Sequence, residues 1–449
     1  MHKKQTFYLV SLGCAKNTVD SDSMAALMEE DGWQAVETPQ QAEVMLVNTC
    51  GFIGPAREES YAMLRDLAAE KKRGQILIAA GCLTERYREQ VVTEVPQIDG
   101  ILGTRRWMDV VDVVRAARER GRKGTIYHLP ENALTVGTDE KNVLRAAIQG
   151  SSAYLKIADG CRRPCAFCAI PLIKGTLVSR PMEDILGEAE ILADEGVKEL
   201  MLIAQDTTDY GHDLGMKDGL AELLDQLTQR VPEIPWIRIL YTYPGYVTDR
   251  LIDLMASRPQ ILPYLDIPLQ HAHPETLKRM KRPADMDWVR RTLNKMRQSI
   301  PGLALRTTLI VGYPGETEEE FKTLLDFVKE TRFDHLGAFT FSFEPGTASE
   351  TLGDTIPQEV KEARLHELMT LQEGISLARC QSLIGKRMEV LIEGQDKAIS
   401  VGRSYRDAPE IDGLVIVEGV AEVGSMVPVM ITGAMTHDLV GSLVSEGAG

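Results

Sequence analysis

Short apolar runs alternate with amphipathic stretches through the first third of the chain. Thr6–Ser11 (TFYLVS), Val44–Asn48 (VMLVN) and Ile76–Ala80 (ILIAA) have the length of strands. Between the first two, Met24, Leu27 and Met28 mark the apolar face of a helix that ends at Gly32. Buried strands separated by helices predict a parallel α/β sheet. The pattern recurs further on, with strand signals at Ala153–Ala158, Glu199–Ala204, Trp236–Tyr241, Tyr264–Pro268, Ala304–Val311 and Leu336–Ser342. Six βα units fall short of the eight in a full TIM barrel, so an open (β/α)6 partial barrel is expected. One of its helices is well marked. Thr317 and Glu320 form a capping-box pattern ahead of the stripe Phe321, Leu324, Leu325 and Val328. The last 70 or so residues change character. Arg387–Glu393, Ala398–Tyr405, Gly413–Val417, Val427–Ile431 and Leu439–Val444 read as five short strands, which predicts a small antiparallel β-barrel of OB-like size. The expected domains are 4–135, 145–375 and 378–446.

Onto this frame the sequence places six of its seven cysteines in two groups. Cys161, Cys165 and Cys168 form a C-x3-C-x2-C triplet in ADGCRRPCAFCAIPLIKG, directly after the first strand of the barrel. Three thiolates so close together suit three irons of a [4Fe–4S] cube and leave the fourth iron open to a small molecule. Zinc sites show paired C-x2-C units or Cys/His mixtures instead, and no His lies near. Cys14, Cys50 and Cys82 each follow a predicted strand by two or three residues. In a parallel sheet those positions share one edge, the edge at which open α/β sheets bind ligands. They read as a second cluster site, with three buried apolar-type cysteines as the alternative. Cys380 has no partner at ligand spacing and reads as an inert thiol.

Composition narrows the setting. A chain of 449 residues exceeds what one core supports, which agrees with several domains. No stretch reaches the 18 apolar residues of a membrane span, and the apolar run in MHKKQTFYLVSLG is too short for a signal peptide. A cytoplasmic location is expected, where thiols serve as ligands rather than disulfides. The net charge of −16 disfavours a phosphate-backbone partner and favours a basic one.

With these motifs in place, the chain resembles the methylthiotransferases of the radical S-adenosylmethionine (SAM) superfamily across all three segments. SLGCAKNTVDSD at Ser11–Asp22, NTCGFI at Asn48–Ile53 and AAGCL at Ala79–Leu83 match the family's N-terminal pattern, and CRRPCAFCAIP matches the radical SAM loop. The family's C-terminal module is a TRAM domain. Within the family, KNTVDSD, GTLVSRP, ILPYLDIPLQHA followed by MKRP, and YRDAPEIDG resemble the branch acting on small-subunit ribosomal protein twelve. The transfer-RNA branch usually has a Gln and an aromatic or Met around its first cysteine motif. CRRPC departs from many relatives, which have a polar residue after the first Cys, and leaves the three ligands untouched.

The resemblance implies a transferase that methylthiolates the β-carbon of an aspartate in that ribosomal protein. It implies two [4Fe–4S] clusters and SAM, both as radical source and as methyl donor. The second cluster falls to Cys14, Cys50 and Cys82, and the radical SAM cluster to Cys161, Cys165 and Cys168. SAM contacts are expected from Gln205 and Asp206 after the second barrel strand, and from Arg306, Thr308 and Gly312 on or after the fifth. Gln270 and His271 are expected at the same mouth, with His271 more plausible as structural than catalytic, and Tyr154 in the core. Partners implied are a basic small-subunit protein, free or in the ribosome, and a flavodoxin- or ferredoxin-like reductant. Neither a membrane nor direct nucleic-acid binding is expected. From Cys380 onward, five basic residues stand against ten acidic ones, a balance that suits a basic protein rather than RNA. The alternative is a transfer-RNA adenosine methylthiotransferase with the same chemistry.

Overall fold

The computed structural model describes residues 5–121, 124–130 and 141–444. The expected domain limits at 4, 135 and 446 lie outside them. The N-terminal segment is a six-stranded, all-parallel sheet. Its strand order is Gln34–Ala35, Thr6–Ser11, Val44–Thr49, Ile76–Gly81, Gly100–Gly103 and Ile126–His128. The three strands read from sequence are present. The other three are short, and Gly-flanked or exposed, too weak in pattern to stand out. Helices cover both faces, as a parallel sheet requires. Ala15–Glu30 and Val110–Arg120 pack Met24, Met28, Val113 and Val114 on one side. Gly54–Glu70 packs Tyr61, Leu64 and Leu67 on the other.

The central segment carries six parallel strands, Ser152–Lys156, Glu199–Ile203, Trp236–Ile239, Ile261–Asp266, Ala304–Val311 and His335–Thr340, in sequential order. An antiparallel strand, Ala146–Gln149, extends the first edge. The fourth strand starts three residues before Tyr264 and ends at Asp266, short of the expected Pro268. Outside the sheet, helices bury a continuous Leu/Ile/Val core. Inside it, Tyr154, Met201, Trp236, Leu262, Tyr264 and Ala304 fill the barrel. The helix Glu318–Thr331 has both halves of the capping box at Thr317 and Glu320. Helix Gln358–Gln381 runs through the expected 375–378 boundary, so a helix joins barrel to C-terminal domain.

The C-terminal segment is a closed five-stranded barrel. One pair, Val415–Glu418 with Leu439–Leu443, is parallel, where an all-antiparallel barrel was expected. The closing strand meets its neighbour in the same direction, a pairing that local alternation does not encode.

This small barrel seals the end of the large one at which the strands begin. Leu391 and Ala408 join the interior core. Arg403 reaches Glu199 at 2.6 Å, Arg238 meets the same carboxylate at 2.6 Å, and Arg406 meets Asp334 at 3.1 Å. Tyr264 donates to Asp412 at 2.7 Å. Much of YRDAPEIDG therefore faces inward, and Arg403, Arg406, Asp407 and Asp412 leave the count of surface charge. Lys386, Arg387 and Lys397 remain exposed with Glu389, Asp396, Glu410, Glu418 and Glu422, so the acidic excess survives. Among the described residues no helix is long and apolar enough to cross a membrane.

Candidate active site

The N-terminal domain spans the opening of the barrel at the opposite end, where its strands finish. On one side, helix Ala15–Glu30 lies against the first barrel strand, with Val19 in the barrel interior. On the other, Arg86 and Arg57 hold the buried Glu344 after the sixth strand, at 2.7 and 3.5 Å. The two cysteine-bearing edges thus face each other. A cavity of about 460 Å³ lies between them, lined by Cys14, Cys50 and Cys82 from one domain and Cys161, Cys165 and Cys168 from the other.

Local geometry explains how each trio assembles. Asn17 ties the first group together, donating to Leu12 O at 2.9 Å and Thr49 O at 3.1 Å while Cys82 Sγ lies 3.7 Å from its Oδ1. Gly13 sits at φ +96°, and a Cβ there would lie 2.8 Å from Cys50 Cβ, so only glycine lets these loops approach. Cys14 occupies the N-cap of a 16-residue helix, where unpaired amides favour negative charge. The second loop is pinched at its base by the antiparallel pair Ala158–Asp159 and Val178–Ser179. Within it the Arg163 amide points at Cys161 Sγ at 3.4 Å, the Ile170 amide at Cys168 Sγ at 3.5 Å, and Arg282 at Cys165 Sγ at 3.5 Å.

Burial pushes the Cys161 thiol up to about 11 and Cys168 up to about 12, and raises Cys50 and Cys82 as well. Thiols raised in this way are poor free nucleophiles; they ionise readily only beside a compensating cation such as iron. Among the described residues no three His, Cys, Asp or Glu side chains converge on a single-ion site. A cubane takes one thiolate per iron, so separated sulfurs around a shared cavity are the arrangement that suits it.

A buried charge network links the two sides. Asp20, six residues beyond Cys14, contacts Arg145 at 2.6 Å, Lys156 at 2.5 Å and Lys174 at 3.0 Å. Asp159 contacts Lys156 and Lys174 at 3.1 Å each. Gln205 donates to Asp159 at 2.8 Å, and its Oε1 is buried without a partner while the residue lines the cavity. Asp206 also lines the cavity and is held by Arg163 at 2.6 Å.

The other expected SAM contacts lie elsewhere. Arg306 pairs with Asp266 at 3.0 Å and Asp412 at 3.3 Å within the barrel, and Thr308 lies beside it. Gly312 faces Lys361, its amide bonded to Glu316. Gln270 reaches the cavity, whereas His271 is wholly buried near Glu316 and does not. Tyr154 is core, and Cys380 is buried against the C-terminal barrel. Lys16, Lys174, Arg163, Arg282 and Tyr241 line the site without having been singled out. Their nearness in sequence to Cys14 and the triplet was the available signal for the first three. Tyr241 ends the expected strand Trp236–Tyr241 and Arg282 lies within MKRP, so strand-end position and that motif were the signals for these two.

Residues 155–328 match the Radical SAM superfamily, residues 6–103 the Uncharacterized protein family UPF0004 and residues 384–444 the TRAM domain. In fold, the chain is similar to the radical SAM methyltransferase TsrM from Kitasatospora setae, with TM-score 0.58 at 14% identity, covering 86% of this chain and 76% of that one. A partial barrel with a C-x3-C-x2-C loop at its mouth defines a radical SAM enzyme, a class that uses a [4Fe–4S] cluster and SAM. Along its whole length the chain is also similar to proteins named ribosomal protein uS12 methylthiotransferase RimO. That of Roseiflexus sp. (strain RS-1) is 46% identical over 462 residues, 98% of each chain. Those of Herpetosiphon aurantiacus and Synechocystis sp. are 44% and 42% identical, over 98% and 99% of this chain and 100% and 99% of theirs. The chain belongs to this RimO family of radical SAM methylthiotransferases, and is a transferase.

Proposed function

We propose that the protein methylthiolates the β-carbon of an aspartate in small-subunit ribosomal protein uS12, the substrate in its relatives' names. Two cysteine trios facing one cavity carry this reading. Cys161, Cys165 and Cys168 would hold the radical SAM cluster, and Cys14, Cys50 and Cys82 a second [4Fe–4S] cluster. When bound, these groups and SAM supply the one-electron reduction, the hydrogen-atom abstraction, the sulfur and the methyl group.

The chain's own residues do the rest. Gln205 Oε1, an acceptor lacking a partner, suits the amino group of SAM. The amides and guanidinium aimed at the three loop sulfurs stabilise their negative charge. Phe52, Phe167 and Phe339 keep the lining apolar, which limits water around a reactive radical. The β-carbon hydrogen is unactivated, so general-base removal is not an option, and a cavity between two cluster sites suits a radical route. The exposed acidic excess of the C-terminal barrel and the overall charge of −16 suit a basic protein substrate. A flavodoxin- or ferredoxin-like protein would deliver the electron.

The test combines protein loaded with iron and sulfide, SAM, a reductant and uS12, with transfer RNA in a parallel vessel. One methylthio group on a uS12 aspartate is expected, with 5′-deoxyadenosine released. A methylthioadenosine in transfer RNA with uS12 unchanged would overturn the substrate. Cys165→Ala should abolish SAM cleavage, whereas Cys50→Ala should lower iron content by one cluster and retain some cleavage. Loss of both clusters in Cys50→Ala would refute two separable sites.

A further inference from the structure

Four cations line the cavity between the cysteine trios, and three are committed. Lys174 is held by Asp20 and Asp159. Arg163 is held by Asp206 at 2.6 Å and Asp209 at 3.1 Å. Arg282 donates to Cys165 Sγ and to the carbonyl of Pro268. The fourth, Lys16, is different. It lies on the first turn of the helix that starts after Cys14, is only 8% exposed, and lines the cavity. Among the described residues no carboxylate forms an ion pair with it; its ammonium rests 3.1 Å from the centroid of the Tyr241 ring.

The ring is itself held in place at a cost. Tyr241 sits at φ +62°, rare for a bulky residue. Its amide donates to Asp266 at 3.2 Å and its carbonyl accepts from Thr207 at 3.0 Å, which fix that conformation. Gln270, at φ +74° and also on the lining, has no side-chain hydrogen bond among the described residues. An ammonium and an amide thus stand beside the cysteine trios in a lining otherwise rich in apolar and already paired groups. A carboxylate entering such a cavity loses its water and needs an opposite charge there.

We propose that Lys16 binds the carboxylate of the substrate side chain, so that the enzyme selects an acidic residue over its neutral isostere. This rests on the aspartate reading above: the ammonium would fix the carboxylate and thereby present the adjoining β-carbon inside the cavity. A charge-assisted hydrogen bond of ordinary strength corresponds to a preference of about ten- to a hundred-fold.

The experiment uses cluster-loaded protein with SAM, unreduced so that no turnover occurs, and a fluorescent uS12 peptide carrying either Asp or Asn at the modified position. Wild type should bind the Asp peptide about ten- to a hundred-fold more tightly than the Asn peptide. Lys16→Met should bring the two affinities together by weakening only the Asp peptide, and Lys16→Arg should keep a preference. An unchanged preference in Lys16→Met, or equal weakening of both peptides, would make Lys16 a strut against Tyr241 and overturn the inference. Should Lys16→Met fail to load iron, wild type and Lys16→Arg still decide: equal affinity for both peptides in either also overturns it. Reduced turnover of the Asp peptide by wild type is scored separately. A peptide methylthiolated but bound without preference sinks only the Lys16 role, whereas one neither bound nor modified sinks the substrate reading too.

Discussion

Replacing Asp20 by Asn keeps the side chain's size and removes one buried negative charge from the join between the N-terminal domain and the barrel. Asp20 is 1% exposed. Its two oxygens serve Arg145, Lys156 and Lys174, and Asp159 also contacts the two lysines. The substitution leaves these three cations with one buried carboxylate fewer. Breaking a buried pair in this way costs about 3–5 kcal/mol, because the remaining charges stay desolvated. The acid range gives a second signature. Burial alone would raise the Asp20 carboxyl, but Lys156, Lys174 and Arg145 outweigh it and hold the group far below the usual carboxylate range. A depressed folded-state value means the stabilisation is fully present above the unfolded value of about 4 and is lost as pH falls below it. The gap between wild type and Asp20→Asn should therefore stay flat from pH 7 to about pH 5 and close only in acid. Anaerobic urea unfolding of the cluster-loaded proteins reads both effects, with Asp326→Asn, on an exposed helical pair with Lys322, as the control. An Asp20→Asn midpoint no different from the control at pH 7 would refute the argument.

Three further outcomes follow from the geometry. Glu199→Gln should cost about 3–5 kcal/mol and expose the joint with the C-terminal barrel to limited proteolysis, since Arg238 and Arg403 share that carboxylate; burial would raise Glu199, but the two arginines hold it down to about 2, so its contribution should fade only as pH drops from about 4 toward that value. Gly312→Ala should lower thermal stability by about 1–3 kcal/mol, because φ is +70° and the new Cβ would lie 2.4 Å from Lys361 Cγ; an unchanged melting temperature would count against it. Arg282→Met removes the donor to Cys165 Sγ and should shift the potential of that cluster downward in a redox titration followed by electron paramagnetic resonance, since hydrogen bonds to sulfur set cluster potentials.

What could be read from the chain were the features that repeat at short range. Strands such as Val44–Thr49, buried at every position, announce themselves as apolar runs, and the triplet Cys161, Cys165 and Cys168 carries its chemistry in its spacing. Cys14, Cys50 and Cys82 were reachable because a parallel sheet gathers strand ends on one edge. Gln205 likewise follows a strand and lines the cavity, whereas the residues expected from the fifth strand are not among those lining it. Arg306 is drawn into an ion pair with Asp266 and Asp412, and Gly312 faces a helix that begins 46 residues later. Whether a polar side chain meets a ligand or a buried counter-charge depends on residues far away in sequence, and no local pattern reports it.

Periodicity, cysteine spacing and charge are properties of neighbouring residues, so the three-part architecture, the cysteine trios and the acid excess are legible along the chain. Three-dimensional packing, by contrast, brings the two trios to one cavity, sets YRDAPEIDG across the far end of the barrel, and places Lys16 in the cavity against a tyrosine face instead of a carboxylate. Each of those depends on how one domain docks against another, and docking is settled by charges and apolar surfaces brought together from segments a hundred or more residues apart, such as Asp20 with Lys156 or Glu199 with Arg403.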